Sequence, residues 1–286
     1  MSLHDVVARI GESEGLDRLT RPVSDAAKRL IPAGRMKDAL SGTRLGHPAH
    51  PMLTDMPIGA FTAATVLDVT IGTRAGPAVE RLVAVGLAAA VPTALTGLSD
   101  WSDTYGADQR TGLVHGVGNV VSLALFSASL VCRRAGTERA GRFFGLAGLA
   151  VMAGAGYLGG HLSFARGVGV NNAFFQHGPG DWTAVLDETD LVECTPTVVP
   201  AGDATVLLYR RGAEISAISN RCSHAGGPLD EGKLDGETGC VVCPWHQSVF
   251  RLDTGAVVHG PASVPQQAYE TRIRSGQIEI RRAPVA

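Results

Sequence analysis

Four apolar stretches constrain this chain before anything else, at about 53–72, 79–98, 111–131 and 143–165. Each is roughly 20 residues long, the length at which an α-helix crosses ~30 Å of hydrocarbon. Charges inside them are confined to Asp55 and Asp68 in the first and to Glu80 and Arg81 at the start of the second. A buried soluble bundle is the alternative, and the abundance of Ala and Gly is compatible with it. Four successive helices without a polar face are nevertheless hard to solvate. The sequence therefore predicts an all-α, four-helix transmembrane bundle over residues 45–166. Gly112-x-x-x-Gly116 and Gly156-x-x-x-Gly160 are small-residue pairs of the kind that lets membrane helices approach closely.

The flanks are different in character. Residues 1–44 mix acidic and basic side chains and read as a charged arm of short surface helices, without the continuous apolar core of a secretory signal. Residues 167–181 form a Gly- and Asn-bearing linker. From 182 to 286 come short β-branched runs, at 205–210, 214–219, 239–242, 248–252, 270–273 and 277–281, punctuated by Gly, Pro and Asp. These predict an all-β antiparallel domain, so the chain is multidomain. Four crossings would return the chain to its starting side, placing the arm and the β domain on one face. Arg74, Arg81, Arg133, Arg134, Arg139 and Arg142 fall on the far face, and Arg35, Lys37, Arg44, Arg110 and Arg166 on the near one. That balance does not choose an orientation. The formal net charge of -2 gives no electrostatic basis for nucleic-acid binding.

The β domain carries the chemistry. Cys222-Ser-His224 and Cys243-Pro-Trp-His246 offer two thiolates and two imidazoles from two loops. Two thiolates on one iron and two imidazoles on the other is the ligand set of a Rieske [2Fe–2S] centre. Zinc is the competing occupant, because Cys240-x-x-Cys243 with Cys222 and one histidine would also satisfy a tetrahedral ion.

Residues 182–282 resemble the Rieske family. The resemblance rests on Cys-Ser-His-Ala-Gly-Gly-Pro-Leu (222–229), Cys-Pro-Trp-His-Gln-Ser-Val-Phe (243–250), Thr254-Gly255 and Gly260-Pro261-Ala262. It implies that Cys222 and Cys243 hold a buried iron and His224 and His246 an outer one. It also implies that Ser248 bonds a cluster sulfur, and that Pro261 belongs to a loop covering the cluster. Cys240 then becomes a buried bystander on the strand entering the second loop. Two departures separate the chain from the high-potential respiratory branch. Gly227 and Trp245 stand where that branch has two disulfide-forming cysteines, and Phe250 stands where it has a tyrosine donor. The resemblance is thus to the ferredoxin and oxygenase branch, with a lowered potential. The missing disulfide also leans the β domain towards the cytoplasm. No second domain offers the two histidines and carboxylate of a mononuclear oxygenase iron.

Residues 45–166 resemble a family of small bacterial four-helix membrane proteins of unassigned function, through His47-Pro-Ala-His50-Pro51 and Asp55-Met-Pro-Ile-Gly59. The prolines favour an extended approach to the first span. His115 and His161 fall at a similar depth in the third and fourth spans, with His50 near the same layer. Intramembrane ionisable groups are costly without a role. His115 and His161 are therefore candidate axial ligands of haem b or ligands of another metal, with His50 in reserve.

Together these features predict a membrane-bound electron-transfer protein in the lipid bilayer, a carrier or oxidoreductase subunit rather than a stand-alone enzyme. Its cluster exchanges electrons with a redox partner protein or a quinone, or with haem in the bundle. One alternative is a ferredoxin tethered by passive helices beside an oxygenase or reductase; another is a redox sensor.

Overall fold

The structure, a computed structural model, describes residues 2–283. In chain order its α-helices are α1 (Leu3–Glu12), α2 (Asp17–Leu30), α3 (Arg35–Ser41), α4 (Ala49–Thr70), α5 (Gly76–Trp101), α6 (Gly106–Arg134) and α7 (Glu138–Gly160). The strands that follow are β1 (Thr183–Asp187), β2 (Thr197–Ala201), β3 (Ala204–Arg211), β4 (Glu214–Ser219), β5 (Lys233–Asp235), β6 (Cys240–Val242), β7 (Val249–Arg251), β8 (Val257–His259), β9 (Tyr269–Arg274) and β10 (Gln277–Arg282). Two compact units result. One runs to Ile31 and resumes over Ala49–Val168; the other joins Pro32–Pro48 to the chain from Gly169 onward. The charged arm is therefore divided between them, and the segment expected to be a linker belongs almost wholly to the second unit.

In the helical unit the apolar stretches fold as α4–α7, mainly packed as the pairs α4–α5 and α6–α7. Its core is a stacked aromatic pair, Phe61 of α4 on Phe126 of α6, with ring centroids 3.8 Å apart and planes 7° from parallel. Glycine makes the room. A Cβ on Gly86 would stand 2.6 Å from the Phe61 ring, and one on Gly148 3.0 Å from the Phe126 ring. Of the small-residue pairs read from the sequence, Gly112 is in close approach, against the Trp101 ring. A Cβ on Gly116 or Gly156 would meet nothing within 4 Å, whereas one on Gly118 would come 3.1 Å from Ala155. Both pairs have the right spacing, but the rotation of each helix turns Gly116 and Gly156 out of the contact.

Three helical stretches, Gly72–Trp101, Gly106–Arg134 and Glu138–Ala165, are long and apolar enough by length and composition to cross a membrane. The fourth long helix, α4, is not among these described candidates. It carries Asp55, Asp68 and several hydroxyls that bond back to their own helix, as Thr65 Oγ1 does to Phe61 O at 2.9 Å. Its start also differs from the extended approach expected. His50 and Pro51 lie in its first turn, where a proline's missing N–H has no intrahelical partner to lose.

Arg133, expected as a loop cation, is buried. Its guanidinium grips both Asp68 carboxylate oxygens and lies 3.3 Å from Glu138 Oε2, while Arg142 Nη2 donates to Asp68 O at 2.6 Å. Side-chain exposures of 2% and 7% leave the Arg133–Asp68 pair almost without water. Such a pair ties the end of α4 to the α6–α7 turn, and removing one member strands the other's charge.

The second unit is antiparallel throughout its named strands. Its sheets have the orders β1-β10-β9, β2-β3-β4 and β5-β6-β7-β8. Inward residues of β3 alternate between two cores. Val206 and Leu208 join Ile278 and Ile280, whereas Leu207 and Tyr209 join Val241, Phe250 and two cysteines. That second core is the floor beneath the candidate site.

Arg133→Leu is expected to destabilise the helical unit by ~3–5 kcal/mol, with Asp68→Leu/Arg133→Leu less destabilised than either single variant. Thermal unfolding of detergent-purified protein followed by circular dichroism checks the order.

Candidate metal centre

Two loops of the β unit are built alike. In the first, between β4 and β5, Cys222 N donates to Gly227 O at 2.8 Å and Gly226 N to Cys222 O at 2.8 Å. In the second, between β6 and β7, Cys243 N donates to Ser248 O at 2.8 Å and Gln247 N to Cys243 O at 3.1 Å. Each turn is closed by a residue in the left-handed region, Gly226 at φ +79° and Gln247 at φ +63°. For Gln247 that conformation carries a steric cost, which the two flanking hydrogen bonds offset.

The repeated turn aims backbone N–H groups at sulfur. Those of His224 and Ala225 face Cys222, and those of Trp245 and His246 face Cys243. Such donors favour thiolate over thiol. Both cysteines are buried, among Leu229, Phe250 and Ala262. The two thiols also bond each other. That bond, received from Cys222, holds Cys243 down to about 6, while the same bond and burial hold Cys222 far above the ordinary thiol range. A second thiolate therefore forms here only against a cation, as a metal-binding thiol pair requires.

The imidazoles lie outward of the sulfurs. His224 and His246 are half-buried, with ring centroids 4.9 Å apart and planes at 88°. Two sulfurs inside and two imidazoles outside make a donor set with a soft end and a nitrogen end, which fits a binuclear iron–sulfur group. Among the described residues, no three His, Cys, Asp or Glu side chains are gathered as a site for one ion.

The cover and the second loop are joined through Ser248. Its buried Oγ accepts from Ala262 N at 2.9 Å, leaving the hydroxyl proton free to be donated elsewhere. Pro261, on the loop after β8, is buried beside Ala262. Cys240 is buried on β6 with its Sγ 3.6 Å from Thr238 O, apart from the thiol pair. Phe250 is fully buried and apolar, so the position offers no donor. Gly227 and Trp245 face each other: a Cβ on Gly227 would stand 3.0 Å from the indole and 3.2 Å from Cys243 Sγ.

The histidines of the helical unit pair differently from the expectation. His115 Nδ1 lies 2.7 Å from Ala155 O, and Asn119 Nδ2 lies 3.2 Å from its Nε2. His161 has its ring centroid 6.4 Å from that of His4, on α1. His50 Nδ1 lies 3.0 Å from Thr93 O. The ring of His161 thus turns towards α1.

Two residues beside the site were not read from the sequence. Asn172 N donates to Ser223 O and Asn172 Nδ2 to His224 O, both at 2.9 Å. Asp38 Oδ1 accepts from Gly260 N at 2.8 Å. Both act across large sequence separations, and no local pattern signals them.

Comparison with known proteins matches this description of the chain. Residues 181–270 match the family described as Rieske [2Fe-2S] domain, and residues 46–172 the family described as predicted membrane protein (DUF2231). The chain is 34% identical over 100 residues to the anthranilate 1,2-dioxygenase ferredoxin subunit of Burkholderia cepacia, covering 35% of this chain and 91% of that protein. It is 30% identical over 100 residues to ferredoxin CarAc of Metapseudomonas resinovorans, covering 35% and 92%. Among solved structures, the ferredoxin of carbazole 1,9a-dioxygenase from Nocardioides aromaticivorans IC177 aligns at 31% identity with a TM-score of 0.34, over 35% of this chain and 96% of that one. A Rieske domain implies a [2Fe–2S] cluster, and the relatives are ferredoxins. With its paired cysteine–histidine loops following a helical domain, the chain belongs to the Rieske [2Fe–2S] family, joined here to a helical region that matches the predicted membrane protein family DUF2231.

Proposed function

We propose that this protein is a membrane-bound electron carrier whose cluster is held by Cys222, Cys243, His224 and His246 and serves a redox partner protein. The observation that carries the reading is the pair of matching turns, which bury two thiols beneath two outward imidazoles. When bound, the cluster supplies one-electron transfer. The protein's own groups do the rest. Backbone N–H donors stabilise the two thiolates, Ser248 has a hydroxyl proton to give, and the core of Leu229, Phe250 and Ala262 excludes water from the inner end. Fewer hydrogen bonds to sulfur, with Phe250 in place of a hydroxylated ring, favour a potential below that of the respiratory branch. The half-buried edge of His224 and His246 is the natural exit for an electron. Relatives named as dioxygenase ferredoxin subunits support a partner oxygenase or reductase over a quinone.

Our reading of the membrane topology keeps four spans with the N-terminal arm and the β domain on one face. Its support is that segments from before α4 and after α7 belong to one compact body, which favours an even number of crossings with α4 among them. The absent disulfide favours the cytoplasmic side for this body. A second centre is the competing reading for the helices. His115 and His161, with His50 in reserve, are the rings weighed as its ligands; Nδ1 of His50 and of His115 each lies on a backbone carbonyl, and Asn119 Nδ2 lies 3.2 Å from His115 Nε2.

Detergent-purified protein should contain iron and acid-labile sulfide and give a Rieske EPR signal after dithionite reduction. Cys222→Ser should abolish that signal and Cys240→Ser should keep it; a surviving signal in Cys222→Ser, or stoichiometric zinc without sulfide, refutes the ligand assignment. The same dithionite-difference spectrum decides the second reading, since the carrier alone shows no sharp haem bands after haem-replete expression. For topology, an impermeant thiol reagent should reach Cys194 and Met36→Cys from one side of the membrane and Arg74→Cys from the other. Labelling of all three from one side would contradict the four-span arrangement.

A further inference from the structure

The candidate centre is held by chain that lies outside the stretch matching the Rieske family. Ahead of the helices, Asp38 of α3 accepts from Gly260 N at 2.8 Å and lies 3.0 Å from His259 Nδ1. Thr43 Oγ1 donates to Ala262 O at 3.0 Å. The fit is close, because a Cβ on Gly260 would stand 2.3 Å from Thr43 Oγ1. Ala262 N in turn donates to Ser248 Oγ at 2.9 Å, so this strap ends on the hydroxyl of the second ligand loop. Beyond the helices, Asn172 fixes the first loop from three sides. Its N donates to Ser223 O and its Nδ2 to His224 O, both at 2.9 Å, while its own carbonyl accepts from Arg221 Nε at 3.0 Å.

We infer that Asn172, Asp38 and Thr43 are positioning residues for the redox centre, through which the segments bordering the membrane helices set the orientation of His224 and of the Ser248 hydroxyl. None of them reaches the four donor side chains directly. Asn172 acts on the peptide units on either side of the His224 Cα, which fix where that imidazole points. Asp38 and Thr43 act on the cover loop, which fixes where Ser248 aims its proton. Outer partners of this kind tune a metal centre by orienting its ligands. This inference rests on the cluster reading above.

The test uses the full chain in detergent and compares Asn172→Ala, Asp38→Asn and Thr43→Val with the unaltered protein. Iron and acid-labile sulfide content, EPR g-values and midpoint potential are measured on each. Asn172→Ala is expected to keep the cluster and shift the g-values, since imidazole orientation shapes them. Thr43→Val, which changes no charge, is expected to lower the midpoint potential by loosening a donor to sulfur. Asp38→Asn should shift the potential while keeping an acceptor for Gly260. Should Asn172→Ala lose its fold, Thr43→Val alone decides. Full cluster content with unchanged potential in Thr43→Val, or with unchanged g-values in a folded Asn172→Ala, overturns the inference. An unaltered protein without any Rieske signal would instead sink the cluster reading, so the two failures are distinct.

Discussion

Everything in the β unit answers to one electrostatic constraint: two buried thiols cannot both ionise without a compensating positive charge. Cys222 and Cys243 lie among apolar side chains and share a hydrogen bond, which holds the Cys222 thiol up and the Cys243 thiol down. Four backbone N–H groups face them, yet oriented dipoles alone do not balance two charges in a dry core. A multivalent inorganic centre does. The rest follows from building two identical turns rigidly enough to face it, with the hydrophobic floor below and the cover loop above.

The helical unit meets a different form of the same problem. Asp68 and Arg133 are charged groups in a largely apolar body, and they neutralise each other where α4 meets the α6–α7 turn. Glycine plays the complementary part, letting Phe61 and Phe126 stack at 3.8 Å in a domain rich in small side chains. Ion pair and aromatic stack tie α4 to α6 by quite different means. That linkage binds to the others the one long helix outside the described span candidates.

Much of this was legible in the sequence because it is local. Apolar stretch length gave the four long helices, short β-branched runs between Gly, Pro and Asp gave β3, β4, β6, β7, β9 and β10, and the spacing of Cys222, His224, Cys243 and His246 marked the two loops. What escaped has long-range causes. Asn172 looks like any residue of a Gly- and Asn-bearing connector, and Asp38 like one of many charges in an arm. Their partners lie far along the chain, where neither periodicity nor composition can point. Strands β1, β2, β5 and β8 escaped as well. Side-chain direction was not legible either: the His161 ring heads towards α1 and His115 towards Ala155 O, which depends on how each helix is rotated.

The β unit is discontinuous in sequence, with residues 49–168 of the helical unit inserted between Pro48 and Gly169. During synthesis, the segment carrying Asp38 and Thr43 leaves the ribosome long before Gly260 and Ala262 exist. It must wait while the four long helices between are made. Closure of the cover is therefore a late event, and a nascent molecule cut short anywhere before Ala262 has no means of completing it.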